Sequence, residues 1–256
     1  MNINKYWLTN IQPILNDNQI SNFEQYIKYL PKNMTSNSEI LEIWPWNWTF
    51  CVFIKNKFWI KNQNLTLLDL SSSVINLLNN QEETKLFNNI LSDSIEYIEN
   101  IENKFDVIIM KHVFEHLEKK YINKLIPVLI KSLKKWWTIL IEVPNLWNIP
   151  NGVYMYNCDY SHYTWFTDKS IWEAFYWNSD WNISVETFNL FKKIYFNKNL
   201  FSIIKDIIAL LVESISFILS YFFLRIFWNW SYWVQERSTN RVFTPLLLCT
   251  ITKNKE

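Results

Sequence analysis

The chain has 256 residues and a formal net charge of +1, which suits one large domain with a sizeable core. The balanced charge gives no polyelectrolyte signature, so nucleic acid is not expected as a partner. The three cysteines are odd in number and lack C-x-x-C spacing, which argues against a disulfide framework and suits a reducing cytosol. No apolar secretory segment opens the chain, so we expect a cytoplasmic protein.

Glycine and tryptophan usage is anomalous. Average usage would give this length roughly 18 glycines, whereas the chain has one glycine and 15 tryptophans. A chain without glycine has few low-cost ways to take positive φ at turns and helix ends. We hypothesise that the gene uses UGA for glycine, so that many tryptophans stand where the native protein has glycine. The alternative is a protein that is genuinely rich in tryptophan.

The first 36 residues are polar and rich in asparagine. Weak helical spacing runs through Ile20, Phe23, Ile27 and Leu30. This pattern predicts an N-terminal helical cap over 1–36.

From residue 39 onward, short apolar runs alternate with helical patterns, which is typical of an α/β fold with a parallel sheet. The runs are nearly all apolar, as expected for strands buried on both faces. The predicted strands are Glu39–Ile43, Leu65–Leu70, Phe105–Met110 and Thr138–Val143, a weaker one near Lys85–Phe87, and later ones at Ile183–Phe188 and Pro245–Ile251. Helices are predicted between them, notably over 72–79 and 117–133.

The loop after the first predicted strand carries the main functional signal. With glycine at 44, 46 and 48, residues 42–48 read E-I-G-P-G-N-G. This resembles the E/D-x-G-x-G-x-G loop of class I S-adenosylmethionine (SAM)-dependent methyltransferases, where backbone and carboxylate meet the amino-acid end of the cofactor. The resemblance implies that Glu42, Trp44, Trp46 and Trp48 bind SAM. The spacing differs from the G-x-G-x-x-G of dinucleotide folds.

Two further acidic residues match positions of that family. Asp69 ends the second predicted strand, where a carboxylate can accept both ribose hydroxyls, although it could also cap the next helix. Asp93, in Leu91-Ser92-Asp93, resembles the acidic position that contacts the adenine amine. Both are therefore expected to bind the cofactor.

The stretch Phe105–Leu117 needs no corrected glycine. It resembles the family's fourth-strand motif, F-D-x-I-x-x-x-x-V-x-E-H-L, whose strand end lines the methionine part of SAM and the methyl-transfer site. The resemblance implies lining roles for Met110, Lys111 and His112.

Residues 112–116 also match H-x-x-E-H, an inverted zinc-peptidase motif. A metal would need both histidines on one helix face and a distant third ligand. His112 directly follows a predicted buried strand, and the only other histidine is His162. We therefore expect no metal, with Glu115 and His116 in structural roles.

Two later segments add to the resemblance. With glycine at 136 and 137, residues 133–145 read L-K-K-G-G-T-I-L-I-E-V-P-N, like the turn and fifth strand of the family. Residues 159–171 look like its D-x-x-H-x-x-x-F-[ST] segment, near the acceptor. His162 is the candidate general base there, because histidine is the side chain best suited to proton transfer at operating pH. Alternatively, it only orients the loop.

The segment 199–227 is long and apolar, with one narrow polar stripe at helical spacing. It contains no uncharged run long enough to cross a membrane. A helix packed on the domain or in a homodimer interface is favoured, and a peripheral helix on the inner membrane face is the main alternative.

The resemblance implies a doubly wound, mainly parallel, seven-stranded Rossmann-like sheet. The expected organisation is a helical cap over 1–36, a SAM-binding core over 37–190, an apolar helical insertion over 191–240 and a last strand and tail over 241–256. The expected reaction is methyl transfer from SAM to an oxygen or nitrogen of a small molecule or glycan. The alternatives are a nicotinamide-dependent oxidoreductase or, if the tryptophans are real, a non-catalytic membrane-surface or interaction protein.

Overall fold

The computed structural model describes residues 17–45, 48–146, 149–179, 183–189 and 246–253, with scattered helical positions between 204 and 222. The strands are β1 Ile40–Ile43, β2 Leu65–Asp69, β3 Asn88–Leu91, β4 Phe105–Lys111, β5 Leu133–Pro144, β6 Ile183–Asn189 and β7 Leu246–Lys253. The helices are α1 Asp17–Glu24, α2 Thr49–Phe58, α3 Ser72–Asn80, α4 Ser94–Ile98, α5 Lys119–Ser132, α6 Ile149–Asn157 and α7 Asp168–Trp177.

The strands form one sheet in the order β3-β2-β1-β4-β5-β7-β6. Strands β1 to β5 pair in parallel, and β7 runs antiparallel between β5 and β6. The strand order reverses between β1 and β4, and in such sheets ligands bind in the crevice at the carboxyl ends of the strands. The prediction of a mainly parallel α/β sheet is confirmed.

Helices cover both faces of the sheet. One core cluster joins the strands to α4, α5 and α7, and a second joins them to α1, α2 and α3. Successive strand residues alternate between the two faces. In β4, Ile108 and Met110 belong to the first cluster, whereas Val107 and Ile109 belong to the second. Burial on both sides explains why the central strands are apolar at most positions.

The third strand lies later than the sequence predicts. Residues 82–86 form turns, and β3 begins at Asn88 rather than within Lys85–Phe87. Because β3 is an edge strand with Asn88 and Leu91 exposed, it lacks the apolar signature that identified the central strands.

The fifth strand begins earlier than predicted, at Leu133 rather than Thr138. Phe105 pairs with Leu133, but Val107 pairs with Thr138, so β5 carries extra residues opposite β4 there. Trp136 lies in this irregular stretch with φ 69°. The predicted turn is present, but it is a bulge within the strand rather than a connection before it.

The two ends of the chain are only partly described. Helix α1 and a 3₁₀ turn at Ile27–Tyr29 lie within the predicted cap, and the cap residues before Asp17 fall outside the described part. Between 204 and 222 the described apolar side chains, such as Ile208 and Leu219, are exposed. Among the described residues, no helix combines the length and hydropathy needed to cross a membrane.

Candidate functional site

Three acidic side chains follow one another along the carboxyl edge of the sheet. Glu42 is the penultimate residue of β1, Asp69 is the last residue of β2, and Asp93 comes two residues after β3. Because these strands are adjacent and parallel, all three residues lie at the same edge. The sequence-predicted carboxylates are thus brought to one side of the β1/β4 switch point.

Glu42 is the most buried of the three, with 5% of its surface exposed. Its Oε2 has no hydrogen-bond partner among the residues that the structure describes. Burial raises the pKa of Glu42 to about 7, although the charge of Lys111 and hydrogen bonds from Cys51 partly offset that rise. A cation placed against Oε2 would therefore favour the ionised carboxylate.

Asp69 and Asp93 both hold turns. The Asp69 Oδ1 accepts a hydrogen bond of 2.7 Å from the backbone N–H of Ser71, and burial raises the Asp69 pKa to about 6. Asp93 caps α4, since its Oδ1 accepts from two backbone N–H groups, and its Oδ2 accepts a 2.7 Å bond from the Tyr121 hydroxyl. The alternative that Asp69 caps the next helix is wrong, because Ser71 is the N-cap of α3. The contact between Asp93 and Tyr121 was not predicted from the sequence.

Two tryptophans, Trp44 and Trp48, flank the undescribed residues 46 and 47 of the loop after β1. Trp48 is 1% exposed and belongs to the α2 side of the core, whereas Trp44 packs partly buried against the other core cluster. The Trp48 Nε1 is buried without a hydrogen-bond partner in the described part of the chain. Trp46 lies outside the described residues. With tryptophan at these positions, the loop carries large side chains where a cofactor would need to approach the backbone closely.

The carboxyl ends of β4 and β5 carry a denser network. Glu142 is buried in β5 and accepts hydrogen bonds from the Tyr26 hydroxyl and from His112 Nε2 at 2.9 Å. The Lys111 Nζ lies 3.6 Å from Glu142 Oε2 and over the rings of Tyr26 and Phe50. Burial alone would raise the pKa of Glu142, but Lys111 and His112 lower it to about 2.

His112 is held between two buried carboxylates. Its Nδ1 lies 3.1 Å from Glu115 Oε1, on the side opposite Glu142. Burial would lower the pKa of His112, but hydrogen bonds to Glu115 and Glu142 raise it to about 10. Both ring nitrogens face carboxylate oxygens, which favours the doubly protonated imidazolium form of His112. It can line and orient a ligand but has no lone pair with which to accept a proton.

Glu115 also belongs to a second cluster. Glu115, His116 and His162 offer ligand atoms that all lie within 4.8 Å of one another. The His116 and His162 rings are 4.6 Å apart between centroids, and the Trp44 ring lies 6.3 Å from the ring of His116. The zinc-peptidase interpretation required both His112 and His116 as ligands, whereas this cluster joins Glu115 and His116 to His162. The expectation that the chain binds no metal stays a prediction.

Sequence reasoning missed two members of the network, Glu142 and Tyr26. A usable signal existed for Glu142, because a carboxylate inside an otherwise apolar predicted strand needs a partner. Tyr26 gave no such signal. Its contact with β5 spans 116 positions of the chain and depends on how the N-terminal segment packs.

Neither a protein-family model nor a curated protein sequence matches this chain. Solved structures do match its fold. A SAM-dependent methyltransferase from Archaeoglobus fulgidus is 16% identical, with a TM-score of 0.59 and 92% of each chain covered.

Geranyl diphosphate C-methyltransferase from Streptomyces coelicolor, solved with Mg²⁺, geranyl diphosphate and S-adenosyl-L-homocysteine, is 8% identical. It has a TM-score of 0.55, with 93% of this chain and 78% of that chain covered. The plantazolicin methyltransferase BamL, solved with a triazolic desmethylPZN analogue and S-adenosyl-L-homocysteine, is 16% identical. Its TM-score is 0.50, with 93% and 83% covered. Identities this low establish a shared Rossmann-like fold and nothing finer.

Proposed function

We propose that this chain is a SAM-dependent methyltransferase that methylates an oxygen or nitrogen of a small molecule or glycan. The observation that carries the proposal is the placement of Glu42, Asp69 and Asp93 at the carboxyl ends of three adjacent parallel strands. Folds of this strand order bind ligands at that crevice. Two of the structural neighbours were solved with S-adenosyl-L-homocysteine and small-molecule ligands, which supports the same ligand class here.

The acidic residues have the chemistry that SAM requires. The unpartnered Oε2 of Glu42 suits the ammonium group of the cofactor, and Asp69 suits the two ribose hydroxyls. Asp93 would accept from the adenine amine beside its bond to Tyr121, since each carboxylate oxygen has two lone pairs. Met110 and Lys111 would line the methionine part.

The sulfonium of SAM supplies the reactivity, because the methyl carbon leaves with its bonding electrons remaining on sulfur. The protein must hold the acceptor in line with that bond and remove a proton if the acceptor is a hydroxyl or ammonium. We assign proton removal to His162, whose Nδ1 has no partner among the described groups. His112, locked as a cation between carboxylates, would orient the acceptor.

The glycine hypothesis is part of this proposal. Within the described ranges, five non-glycine residues have positive φ, and three are tryptophans: Trp44 at 53°, Trp59 at 57° and Trp136 at 69°. Positive φ is costly for a residue with a Cβ and routine for glycine. Backbone geometry therefore supports glycine at these positions independently of composition. Glycine at 44 and 48 would also clear the two indoles from the loop.

Calorimetry with SAM tests the function on two full-length forms, one as printed and one with glycine at 44, 46, 48, 136 and 137. We expect micromolar binding to the glycine form and at least tenfold weaker binding to the tryptophan form. Glu42→Ala in the glycine form should abolish most of the binding, while the exposed Glu102→Gln should not change it. Binding to neither form would refute the methyltransferase assignment.

Mass spectrometry of peptides from the native protein tests the recoding directly. Glycine masses are expected at 44, 46 and 48. Tryptophan masses there would refute the recoding and favour the non-catalytic alternative, because the SAM loop needs residues without a Cβ for the backbone to approach the cofactor.

We also propose that 199–227 forms a contact surface for the inner membrane face. The described apolar side chains between 204 and 222 are exposed, which favours a surface role over packing on the domain. Flotation with anionic liposomes should carry the full chain and not a form lacking 199–230. Equal partitioning of both forms would contradict this, and concentration-dependent dimerisation of the full chain alone would replace it with a homodimer contact.

A further inference from the structure

We propose that Glu115, His116 and His162 form a binding site for a divalent transition-metal cation. The three residues come from two separate segments: the 3₁₀ turn Phe114–His116 and the loop before α7. The fold nevertheless brings their ligand atoms within 4.8 Å of one another. Two imidazoles and a carboxylate are a common ligand set for first-row metals.

The hydrogen bonds of His116 prepare it as a ligand. The Ser161 hydroxyl donates to Asp159 Oδ1 at 2.6 Å, so its single proton is already committed. His116 Nδ1, which lies 2.8 Å from Ser161 Oγ, must therefore be the donor in that contact. The tautomer with a proton on Nδ1 leaves the Nε2 lone pair available for a metal. Asp159 supports this tautomer through the Ser161 hydroxyl, and hydrogen-bonded support of this kind is usual for a metal-binding imidazole.

The other two ligands each carry a buried polar atom without a partner. Glu115 is 0% exposed, and its Oε2 has no hydrogen bond within the described structure, although Oε1 contacts His112. The Nδ1 of His162 is likewise buried and unpartnered there. Buried polar groups are nearly always satisfied, so two orphaned atoms in one cluster indicate a missing ligand.

The backbone fixes the two segments against each other. Both Tyr163 and Thr164 donate their backbone N–H groups to the Glu115 carbonyl, at 2.7 and 3.1 Å. The Thr164 hydroxyl donates to the Leu117 carbonyl at 2.6 Å. These bonds hold the loop that carries His162 beside the turn that carries Glu115 and His116. The site is therefore built before a cation arrives.

The ligand types select the class of cation. Imidazole nitrogen favours zinc, cobalt, nickel or iron over magnesium and calcium, which prefer oxygen. Metal–ligand bonds of about 2.1 Å imply tetrahedral ligand separations of about 3.4 Å, so small side-chain rotations would close the cluster. Three protein ligands leave a coordination position open, as in catalytic rather than structural sites.

The cation site stands independently of methyl transfer, since it needs only these side chains. It would, however, modify the proposed role of His162. In the metal-free protein that ring is available as a base. With a cation bound it is a ligand, and the cation would lower the pKa of a hydroxyl bound at the open position.

Titration of the metal-free full-length chain with Co²⁺ tests the site, because visible d–d absorption reports nitrogen and oxygen ligation. Zn²⁺ affinity follows by competition with a chromophoric chelator. We expect one equivalent with a micromolar or tighter Kd. Glu115→Gln and His162→Ala should each weaken binding at least 100-fold. Asp159→Asn, which removes the support behind His116, should weaken it about 10- to 100-fold.

The control is Cys158→Ser, because Cys158 is an exposed free thiol near the loop that could bind zinc adventitiously. Its affinity should equal that of the parent chain. Thermal melts establish that each variant is folded, and His162→Gln replaces His162→Ala if the latter is not. Absent binding, or equal binding by the parent and His162 variants, overturns the proposal. Both measurements omit SAM, so a failed cofactor titration would not affect them.

Discussion

The carboxyl edge of the sheet has two halves with different chemistry. On the β1–β3 side, Glu42, Asp69 and Asp93 are separate carboxylates, each engaged locally with its own turn or helix. On the β4–β5 side, Glu142 and its neighbours form one connected network that spans the N-terminal segment and two strands. Among the described residues, one oxygen of Glu42 in the first half lacks a partner, whereas both oxygens of Glu142 in the second half accept hydrogen bonds.

The difference separates ligand binding from architecture. A buried carboxylate with a raised pKa lowers the stability of the folded protein when it is ionised. A bound cation would offset that loss. A carboxylate with a lowered pKa is already compensated by fixed charges. We infer that Glu42 is kept for a ligand, while Glu142 fixes the geometry around His112.

The largest effect on stability is expected at Glu142, in the second half of the edge. Glu142→Gln should lower the free energy of unfolding by about 3 to 5 kcal/mol, because it leaves the charges of Lys111 and His112 without their buried partner. Chemical denaturation at pH 7 measures this. Glu102→Gln removes an exposed carboxylate that pairs with Lys131 and should cost under about 1 kcal/mol.

The pH dependence of stability in the Glu142→Gln variant tests whether lost charge interactions cause the destabilisation. The folded pKa of Glu142, about 2, lies below its ordinary value near 4.5. Its contribution is thus present above pH 4.5 and is lost as pH falls toward 2. The difference in unfolding free energy between the parent and Glu142→Gln should become smaller as the pH falls from 5 to 3. A constant gap would mean that packing, rather than charge, explains the loss.

Glu42→Gln should change the free energy of unfolding in the opposite direction, by stabilising the protein above neutral pH. The folded pKa of about 7 lies above the ordinary value, so stability falls as pH rises from about 4.5 to 7. At pH 8 the variant should be more stable than the parent by about 3 to 4 kcal/mol, since the Glu42 pKa rises from 4.5 to about 7 and each pKa unit is worth about 1.4 kcal/mol. Near pH 4.5 the two should be equal, as denaturant titrations at both pH values would show.

The same substitution should weaken SAM binding in the glycine form. A variant that is more stable and binds less well is the signature of a carboxylate kept for a ligand. A variant that is less stable at pH 8 would place Glu42 with the structural carboxylates and remove the contrast between the two halves.

The smallest effect concerns the positive-φ tryptophans. Trp59 ends α2 in the left-handed conformation, with φ 57°, and is 83% exposed, so its ring contributes little packing. Trp59→Gly should raise stability by about 1 kcal/mol, because it removes the left-handed penalty. Trp172→Gly, within α7, is the matched control and should lower stability by a similar amount. Thermal melts that shift in the same direction for both would contradict the backbone-strain interpretation.

The central strands could be predicted because both of their faces are buried. β1, β2 and β4 are apolar nearly throughout, so composition alone located them within a residue or two. Edge strand β3 faces solvent and carries Asn88 and Asn89, which made its position ambiguous. The start of β5 depended on a bulge in which Trp136 has a positive φ, a conformation that tryptophan does not signal in a sequence.

The part of the candidate site that depends only on where a residue lies along its own strand could be predicted from the sequence. Each acidic residue at a strand end follows from parallel pairing, since every strand then presents its carboxyl end to the same edge. The grouping of His162 with Glu115 and His116 was not predictable. It depends on backbone bonds between segments 47 to 49 positions apart, which leave no local pattern.

The sequence by itself determined the alternation of strands and helices, the acidic residues at the strand ends and the deficit of glycine. These are local properties, set by periodicity, turn position and composition. Only the tertiary structure decided which charges compensate each other, because that depends on distances between segments distant in sequence. Within the described ranges it leaves one oxygen of Glu42 without a partner, encloses His112 between Glu115 and Glu142, and places His162 beside His116.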